Sequence, residues 1–299
     1  MPTATYQAPA IGEWMPRIEL KLKVSEAPDM RLVLINRADN VALVRQAIAG
    51  VADALSIDDN LLADIKTVVS EACNNVVLHA YEGEEGPLEV YICPDGQELE
   101  VVVRDEGTGI QPHRPEPESG VQGVGLSLIQ ALTDRVEFRG AAGEGTEVRM
   151  GFRSDRPLAI ASAKGEDAQK QVSPPAGETV VSVAAGPLAA PVLSRVVAML
   201  AARSNFSVER LSDAQLISDA IAAHAPSAIV GRHVHMGLDA HEGALDLRVG
   251  PLAPDGGERI VQESAIAGIH PVIERLADKV SVEQRNGFEE LQVTLSDAR

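Results

Sequence analysis

The stretch SEACNNVVLHAY, residues 70–81, places a glutamate and two neighbouring asparagines in a segment that otherwise has the pattern of a buried helix. Apolar residues recur at helical spacing from residue 61 to residue 80, and the buried stripe they predict is Ile65, Val68, Val69, Ala72 and Val76. Glu71 and Asn75, one turn apart, then project together from another face. They are either a solvated polar pair, or a proton acceptor beside a ligand for a hard cation such as Mg²⁺.

A second segment, VVVRDEGTGI (101–110), ends an apolar strand in a carboxylate followed by alternating glycines. Asp105 can accept a hydrogen bond from an exocyclic amine, and Gly107 and Gly109 let the backbone approach a flat ring closely. Alone, this pattern is also that of a tight turn. This segment therefore indicates a binding site only in combination with the segments at 70–81 and 120–130.

A third segment, GVQGVGLSLIQ (120–130), places Gly123 and Gly125 at the start of a predicted helix. Unpaired amides and the positive end of the helix dipole can face phosphate groups at such a position. The alternative is a flexible loop before a surface helix. The predicted helix, GLSLIQALTDRV, runs over 125–136, and a strand, TEVRMGF, follows at 146–152.

The composition limits the classes of protein that fit. The 299 residues are enough for two domains, and 45% hydrophobic with 23% charged residues is typical of a globular chain. A net charge of −18 without a basic stretch argues against direct nucleic-acid binding. The two cysteines, the lack of a signal-peptide pattern and the lack of an apolar run of about 20 residues predict a cytoplasmic protein that does not enter the membrane.

The order of predicted strands and helices occurs twice. The most similar segments of the two halves are LIQALTDRVEF (128–138) and VIERLADKVSV (272–282), a separation that indicates a duplicated α/β domain rather than a solenoid. The expected organisation is an N-terminal extension, a first domain, a linker and a second domain: 1–30, 31–153, 154–178 and 179–299.

Four motifs, EACNN (71–75), DEGTG (105–109), GVGLSLI (123–129) and GT (145–146), together resemble the nucleotide-binding boxes of the Bergerat-fold, or GHKL, ATPases. This superfamily includes DNA gyrase, sensor histidine kinases and the anti-sigma-factor serine kinases, and the wording DIKTVVSEACNNVVLHAY is most similar to the last group. The resemblance implies an α/β two-layer sandwich in which helices cover one face of a mixed, mostly antiparallel sheet.

The resemblance also implies roles for single residues, with ATP and Mg²⁺ as cofactors. Glu71 would be the general base that accepts a proton from a substrate serine, and Asn75 would bind Mg²⁺. Asp105 would hold the adenine amino group, supported by Thr146. The other implied contacts line the ring or belong to the phosphate-covering end of a lid: Gly107, Gly109, Gly123, Gly125 and Leu126.

The second half lacks these residues. Aligning SDAIAAHA with SEACNNVV places Asp219 opposite Glu71 and Ala223 opposite Asn75, and the counterpart of Asp105 falls near Pro251. We therefore expect a degenerate copy that has no nucleotide site.

The leading hypothesis is a cytoplasmic anti-sigma factor with serine kinase activity. It would phosphorylate a serine of an anti-anti-sigma (STAS-type) protein and hold an alternative sigma factor in a partner-switching system. Because such kinases work as homodimers, the chain would form a homodimer or an intramolecular pseudo-dimer. The lid has only Arg114, early in its sequence, so an ATP-gated protein-binding switch without significant transfer is the alternative. A third hypothesis is an ATPase that drives a conformational cycle.

Overall fold

The structure, a computed structural model, describes residues 28–109, 124–158, 173–265 and 271–297. The first half contains β1 (Met30–Ile35), α1 (Ala38–Leu55), α2 (Asp59–Asn75), a π-helical turn (Val76–Ala80), β2 (Pro87–Asp95), β3 (Glu98–Asp105), α3 (Val124–Leu132), β4 (Arg135–Gly140) and β5 (Thr146–Arg153). The second half contains β6 (Thr179–Ala184), α4 (Ala189–Arg203), α5 (Val208–His224), a 3₁₀ turn (Ala225–Ser227), β7 (His233–His241), β8 (Ala244–Leu252), α6 (Gly256–Glu263), α7 (Val272–Leu276), β9 (Lys279–Arg285) and β10 (Phe288–Ser296).

Three sequence predictions lie outside the described residues. They are Gly123, the lid with Arg114, and most of the N-terminal extension. The ends of the predicted linker are described. Leu158, at the start of the linker, is 1% exposed, and its backbone N–H donates to the carbonyl of Gly96 at 2.7 Å. This end of the linker is therefore packed against the first half.

The ten strands of the described residues form one sheet in the order β4-β5-β3-β2-β1-β6-β7-β8-β10-β9. Alternate residues of the strands join the helices in a single buried cluster, so the helices cover one face, as the α/β two-layer prediction requires. Each neighbouring pair of the described strands is antiparallel. The expectation of a mixed sheet was therefore wrong.

The helix predicted over 61–80 forms, with a change near its end. The side chain of Asp58 caps α2 by accepting the backbone N–H groups of Asn60 and Leu61 at 3.1 and 3.0 Å. The regular helix ends at Asn75, and one π-helical turn carries the chain to Ala80. Such turns shift the following side chains around the axis and are frequent at functional sites.

The helix predicted over 125–136 is shorter than its sequence pattern suggests. The pattern predicts that the helix beginning at Gly125 continues to Val136, but α3 ends at Leu132 and Arg135 begins strand β4. The equivalent segment of the second half likewise divides into α7 and β9. Over so few positions, the apolar residues of these segments fit the period of a helix and the period of a strand equally well. Pairing with the adjacent strand then selects the β conformation.

The strand order of the first half recurs in reverse in the second half, and the two halves meet at strands β1 and β6. Met30 pairs with Val183 and Val33 with Val180 across this antiparallel junction. Helices α1 and α4 pack above it so closely that a methyl group on Gly50 would lie 2.6 Å from the carbonyl oxygen of Pro191. The halves therefore share one sheet and one continuous core.

The helix–helix contacts of the two halves correct the sequence alignment by one residue. The buried positions of α2 and α5 coincide one for one when Ile65 is placed opposite Ala214. In that register Asp219 lies opposite Ser70. The polar contacts agree, because Arg45 of α1 donates to Ser70 at 2.9 Å and Ser194 of α4 donates to Asp219.

The consequence is that Asp219 is not the counterpart of Glu71, contrary to the sequence alignment. Ala220 lies opposite Glu71, and His224 rather than Ala223 lies opposite Asn75. The second half thus lacks the carboxylate as well as the amide. No helix of the described ranges is both long and apolar enough to cross a membrane.

Candidate functional site

Glu71 and Asn75 project from the last turn of α2, immediately before the π-helical turn. The apolar stripe predicted for this helix is buried, with Ile65, Val68 and Val69 at 0% exposure. Both polar side chains are half-buried. This placement beside the core puts two oxygen-bearing groups on one side of the helix end.

The start of α3 lies against Glu71. A methyl group built on Gly125 would lie 2.1 Å from Oε1 of Glu71, so only a glycine leaves room for the carboxylate in this position. The sequence singled out these two residues separately, 54 positions apart. The fold brings the amino end of a glycine-led helix to the carboxylate, an arrangement that can hold a phosphate chain near a proton acceptor.

Asp105 ends β3 and is 3% exposed. Its Oδ1 accepts the backbone N–H of Gly107 at 2.8 Å and that of Thr146 at 3.2 Å, and the Thr146 hydroxyl also hydrogen-bonds the carboxylate. Burial raises the pKa of Asp105, and these hydrogen bonds partly oppose the rise. The carboxylate is thus held in one orientation by the strand that pairs with its own.

The two glycines after Asp105 are required by the protein's own backbone. A methyl group on Gly107 would lie 2.0 Å from the carbonyl oxygen of Ala80, and one on Gly109, whose φ is +73°, would lie 2.0 Å from that of Ala141. The turn therefore packs directly onto the end of the π-helical turn. Contact of either glycine with a nucleotide ring stays a prediction.

Tyr81 is a residue of the site that the sequence did not reveal. Its hydroxyl donates to the carbonyl of Pro87 at 2.6 Å and accepts the backbone N–H of Glu106 at 2.8 Å. Burial raises the pKa of the phenol, so it stays protonated and can make both bonds. Tyr81 thereby fastens the turn that carries Asp105 to the end of the α2 segment, a long-range role that a single tyrosine after a helix does not signal.

Leu126 and Thr146, the remaining predicted contact residues, lie in different parts of the first half. Leu126 is 48% exposed at the start of α3, where it faces away from the core. Thr146 begins β5 and pairs directly with Asp105. The structure thus brings Asp105 and Thr146 together, and separately brings Glu71 and Gly125 together.

The strand register identifies the counterparts of this pair in the second half. Val103 pairs with Val148 in the first half and Val249 pairs with Leu291 in the second. Counting two positions further along each strand places Pro251 at the position of Asp105 and Glu289 at the position of Thr146. The register shifts between Leu291 and Glu289, however, so Glu289 pairs with Leu252 and not with Pro251.

Glu289 uses its carboxylate within the protein. It is 8% exposed and accepts the backbone N–H groups of Asp255 at 2.9 Å and Gly257 at 3.1 Å. It therefore caps the start of α6, a helix absent from the described part of the first half. Gly257 of this helix packs so closely on Val282 that a methyl group would lie 2.6 Å from a side-chain carbon. Packed elements thus occupy this part of the second half.

The residues of the first half fit a magnesium nucleotide. Within the described ranges, the side chains of Glu71 and Asn75 make no hydrogen bond to the rest of the chain, so their side-chain oxygens are free for a proton and a hard cation. Asp105 offers a fixed, buried acceptor of the kind that an exocyclic amine needs. The second half offers Ala220 and Pro251 at the matching positions and does not fit.

Comparison with known proteins agrees with this geometry. The family model for the histidine kinase-like ATPase domain matches residues 34–152. An anti-sigma F factor of Thermoanaerobacter sp. (strain X514) is 34% identical over 131 residues, which cover 40% of this chain and 90% of that protein. The anti-sigma F factor of Oceanobacillus iheyensis is 35% identical over 132 residues, covering 41% of this chain and 90% of that protein.

Among solved structures, the histidine kinase domain from the Erythrobacter litoralis EL346 blue-light activated histidine kinase is 24% identical. The match covers 31% of this chain and 44% of that chain. Its TM-score of 0.27 is too low to support an argument. The sequence matches are sufficient on their own, and the segment they cover contains each element of the site described above. Through residues 34–152, the chain belongs to the family of histidine-kinase-like ATPases that includes the anti-sigma F factors.

Proposed function

We propose that this protein is an anti-sigma factor with serine kinase activity. Its first half would bind Mg-ATP and transfer the γ-phosphoryl group to a serine of an anti-anti-sigma protein of the STAS type. It would also hold an alternative sigma factor, with phosphorylation deciding which partner is bound. The relatives named anti-sigma F factor support the sigma-binding part of this proposal.

The observation that carries the kinase part is the contact between Gly125 and Glu71. It places the amino end of α3, where a phosphate chain would lie, against the one carboxylate that ends the polar face of α2. A positioned base beside a phosphate-binding helix end is what in-line phosphoryl transfer requires from a protein.

Each residue has a defined task in this reaction. Asp105 accepts the adenine amino group and fixes the nucleotide, and the amides at the start of α3 hold the phosphates. Glu71 accepts the proton of the attacking serine hydroxyl as the serine oxygen bonds to the γ-phosphorus and the bond to the leaving oxygen of ADP breaks. Asn75 would hold Mg²⁺, which supplies charge neutralisation of the phosphates when bound.

The second half takes the place of a second subunit in this proposal. Strand β6 pairs with β1, and helix α4 packs on α1. A partner protein that binds across two subunits would therefore find both binding surfaces within one chain. A mass of about one chain, 31.6 kDa, is expected in solution by light scattering. Dimers assembled through the first half would contradict this arrangement.

The experiment that tests the proposal uses ATP labelled in the γ-phosphate. The full chain is incubated with an anti-anti-sigma protein from the same genome, and the label is followed on the partner. We expect transfer to serine that is abolished in Glu71→Gln while Mg-ADP binding persists, because the glutamine fits the site but accepts no proton.

One control variant and two alternative outcomes make the experiment decisive. Glu209→Gln removes a carboxylate from the first turn of α5 in the second half and is expected to leave transfer unchanged. If nucleotide binds but no label reaches the partner, the ATP-gated switch replaces the kinase. Steady phosphate release without any partner would instead favour the ATPase.

A further inference from the structure

A cavity of about 370 Å³ lies where the two halves meet, apart from the nucleotide site. Its walls come from the end of β1 and the start of α1 in the first half, and from the ends of α4 and β7 in the second. The apolar part is formed by Ile35, Leu200, Leu238 and Ala240. Its volume falls in the range of pockets that bind small metabolites.

One cation in the wall of this cavity has no carboxylate partner. The guanidinium of Arg203 donates to Oδ1 of Asn40 at 3.0 Å and to the backbone carbonyl of Asp39, both uncharged acceptors. No ion pair joins Arg203 to a carboxylate of the described chain. Burial lowers the pKa of this guanidinium, and the charge of Asp39 only partly offsets that effect. An anionic group would complete its surroundings.

The other charged groups of the wall are placed differently. Arg37 is already paired with Glu85, at 2.8 Å. The carboxylates of Glu178 and Glu242 are exposed, with Asp39 beside them. The carboxylates that could accept a positive group thus lie at the rim of the cavity. Arg203, which has no carboxylate partner in the described chain, is less exposed than they are.

A buried hydroxyl lies next to this cation. Ser204 is 2% exposed, lines the cavity, and its Oγ has no hydrogen-bond partner in the described chain. A buried hydroxyl without a partner is costly and rare in native proteins. Beside Arg203, the wall thus contains a second polar group whose hydrogen-bonding capacity is unused in the described chain.

We propose that the cavity binds a free α-amino acid with an apolar side chain. The carboxylate would pair with Arg203 close to Ser204, the ammonium would face Glu178 and Glu242, and the side chain would lie on the apolar floor. A zwitterion matches the separated charges of the wall, whereas a simple anion would be opposed by the carboxylates at the rim.

Such a ligand would connect the two halves. Arg203 reaches across the junction to Asn40, so a carboxylate bound there would fix the start of α1 relative to the end of α4. Ligand that binds only the joined arrangement stabilises it by mass action. The proposal does not depend on the nucleotide site, and it can be tested with that site empty.

The test is calorimetric titration of the full-length protein with L-leucine, L-valine and L-phenylalanine, together with measurement of the thermal midpoint. We expect at least one of them to bind and to raise the midpoint. N-acetyl-L-leucine lacks the ammonium and L-leucinamide lacks the carboxylate, and each should bind about tenfold more weakly than leucine or worse.

Variants locate the binding. Arg203→Gln should weaken it by about tenfold or more. Arg195→Gln is the matched control, because it removes the ion pair with Asp53 between the same two helices but lies outside the cavity, and it should leave binding unchanged. Ala240→Leu fills the floor and should abolish binding while leaving Arg203 in place.

Three results would overturn the proposal. One is the lack of binding by every apolar amino acid up to about 10 mM. Another is equal binding of leucine and leucinamide. The third is a folded Arg203→Gln or Ala240→Leu variant that binds as tightly as the unaltered chain.

Discussion

Replacing Asp105 with asparagine should weaken the preference of the proposed nucleotide site for adenine without unfolding the protein. Oδ1 of Asp105 already accepts two backbone N–H groups, from Gly107 and Thr146. The oxygen of an asparagine can take over both bonds, which forces its NH₂ group to the position of the other carboxylate oxygen. A donor then faces the donor of the adenine amino group.

The expected magnitude follows from that single exchange. Loss of a charge-assisted hydrogen bond costs about 2 kcal/mol, so Mg-ADP should bind about thirtyfold more weakly. An inosine nucleotide carries a carbonyl at the same position and gains a donor, so the preference for ADP over IDP should fall by about a hundredfold. The free energy of unfolding should change by less than about 1 kcal/mol, because the backbone bonds remain and a costly buried charge disappears.

The assay is calorimetric titration of Mg-ADP and Mg-IDP into the full-length protein and into Asp105→Asn. Asp134→Asn provides the matched control, since Asp134 is an exposed carboxylate that also accepts a backbone N–H, from Arg153 at 2.7 Å, but lies away from the site. The reasoning is refuted if Asp105→Asn folds and keeps both its affinity for ADP and its preference for ADP over IDP.

Three further changes test other parts of the structure. A methyl group in Gly125→Ala would displace the Glu71 carboxylate by about 1 Å, so single-turnover transfer should fall about a hundredfold with little change in urea stability; an unaltered rate would contradict the geometry. In Gly50→Ala the methyl group meets the backbone carbonyl of Pro191 at 2.6 Å, which should lower the free energy of unfolding by about 1–3 kcal/mol in urea titrations, and an unchanged midpoint would count against the tight junction. Burial lowers the pKa of His235 to about 4, so the unfolded chain binds the extra proton first and stability should fall by up to about 3 kcal/mol from pH 6.5 to pH 4. The same pH series on His235→Asn should show a shallower fall, and an identical fall would assign the effect elsewhere.

The sequence predicted the elements that have a long and regular pattern. The stripe from Ile65 to Val76 predicted α2, and the apolar run that ends at Asp105 predicted β3. A short segment failed where two periods fit equally well, which is why the start of β4 was included in the helix predicted over 125–136. The π-helical turn after Asn75 has no local signature, since tertiary contacts with Gly107 determine it.

The candidate site was predictable as residue types but not as contacts. A glycine before a helix and a glutamate far upstream give no hint that Gly125 would touch Glu71. The alignment of the second half slipped by one residue because alanine and isoleucine repeat along α5 at nearly equivalent spacings. Only burial and the pairs Arg45–Ser70 and Ser194–Asp219 fix the register.

The pairing of β1 with β6 has a consequence for behaviour at low protein levels. Two subunits that must find one another come apart on dilution, whereas halves tethered in one chain experience an effective concentration set by the tether and stay associated at any copy number. The two halves of the shared sheet are also unequal, since the first carries Glu71 and Asp105 and the second has Ala220 and Pro251 in their place. A cell holding only a few molecules would thus still have both halves joined as a pair.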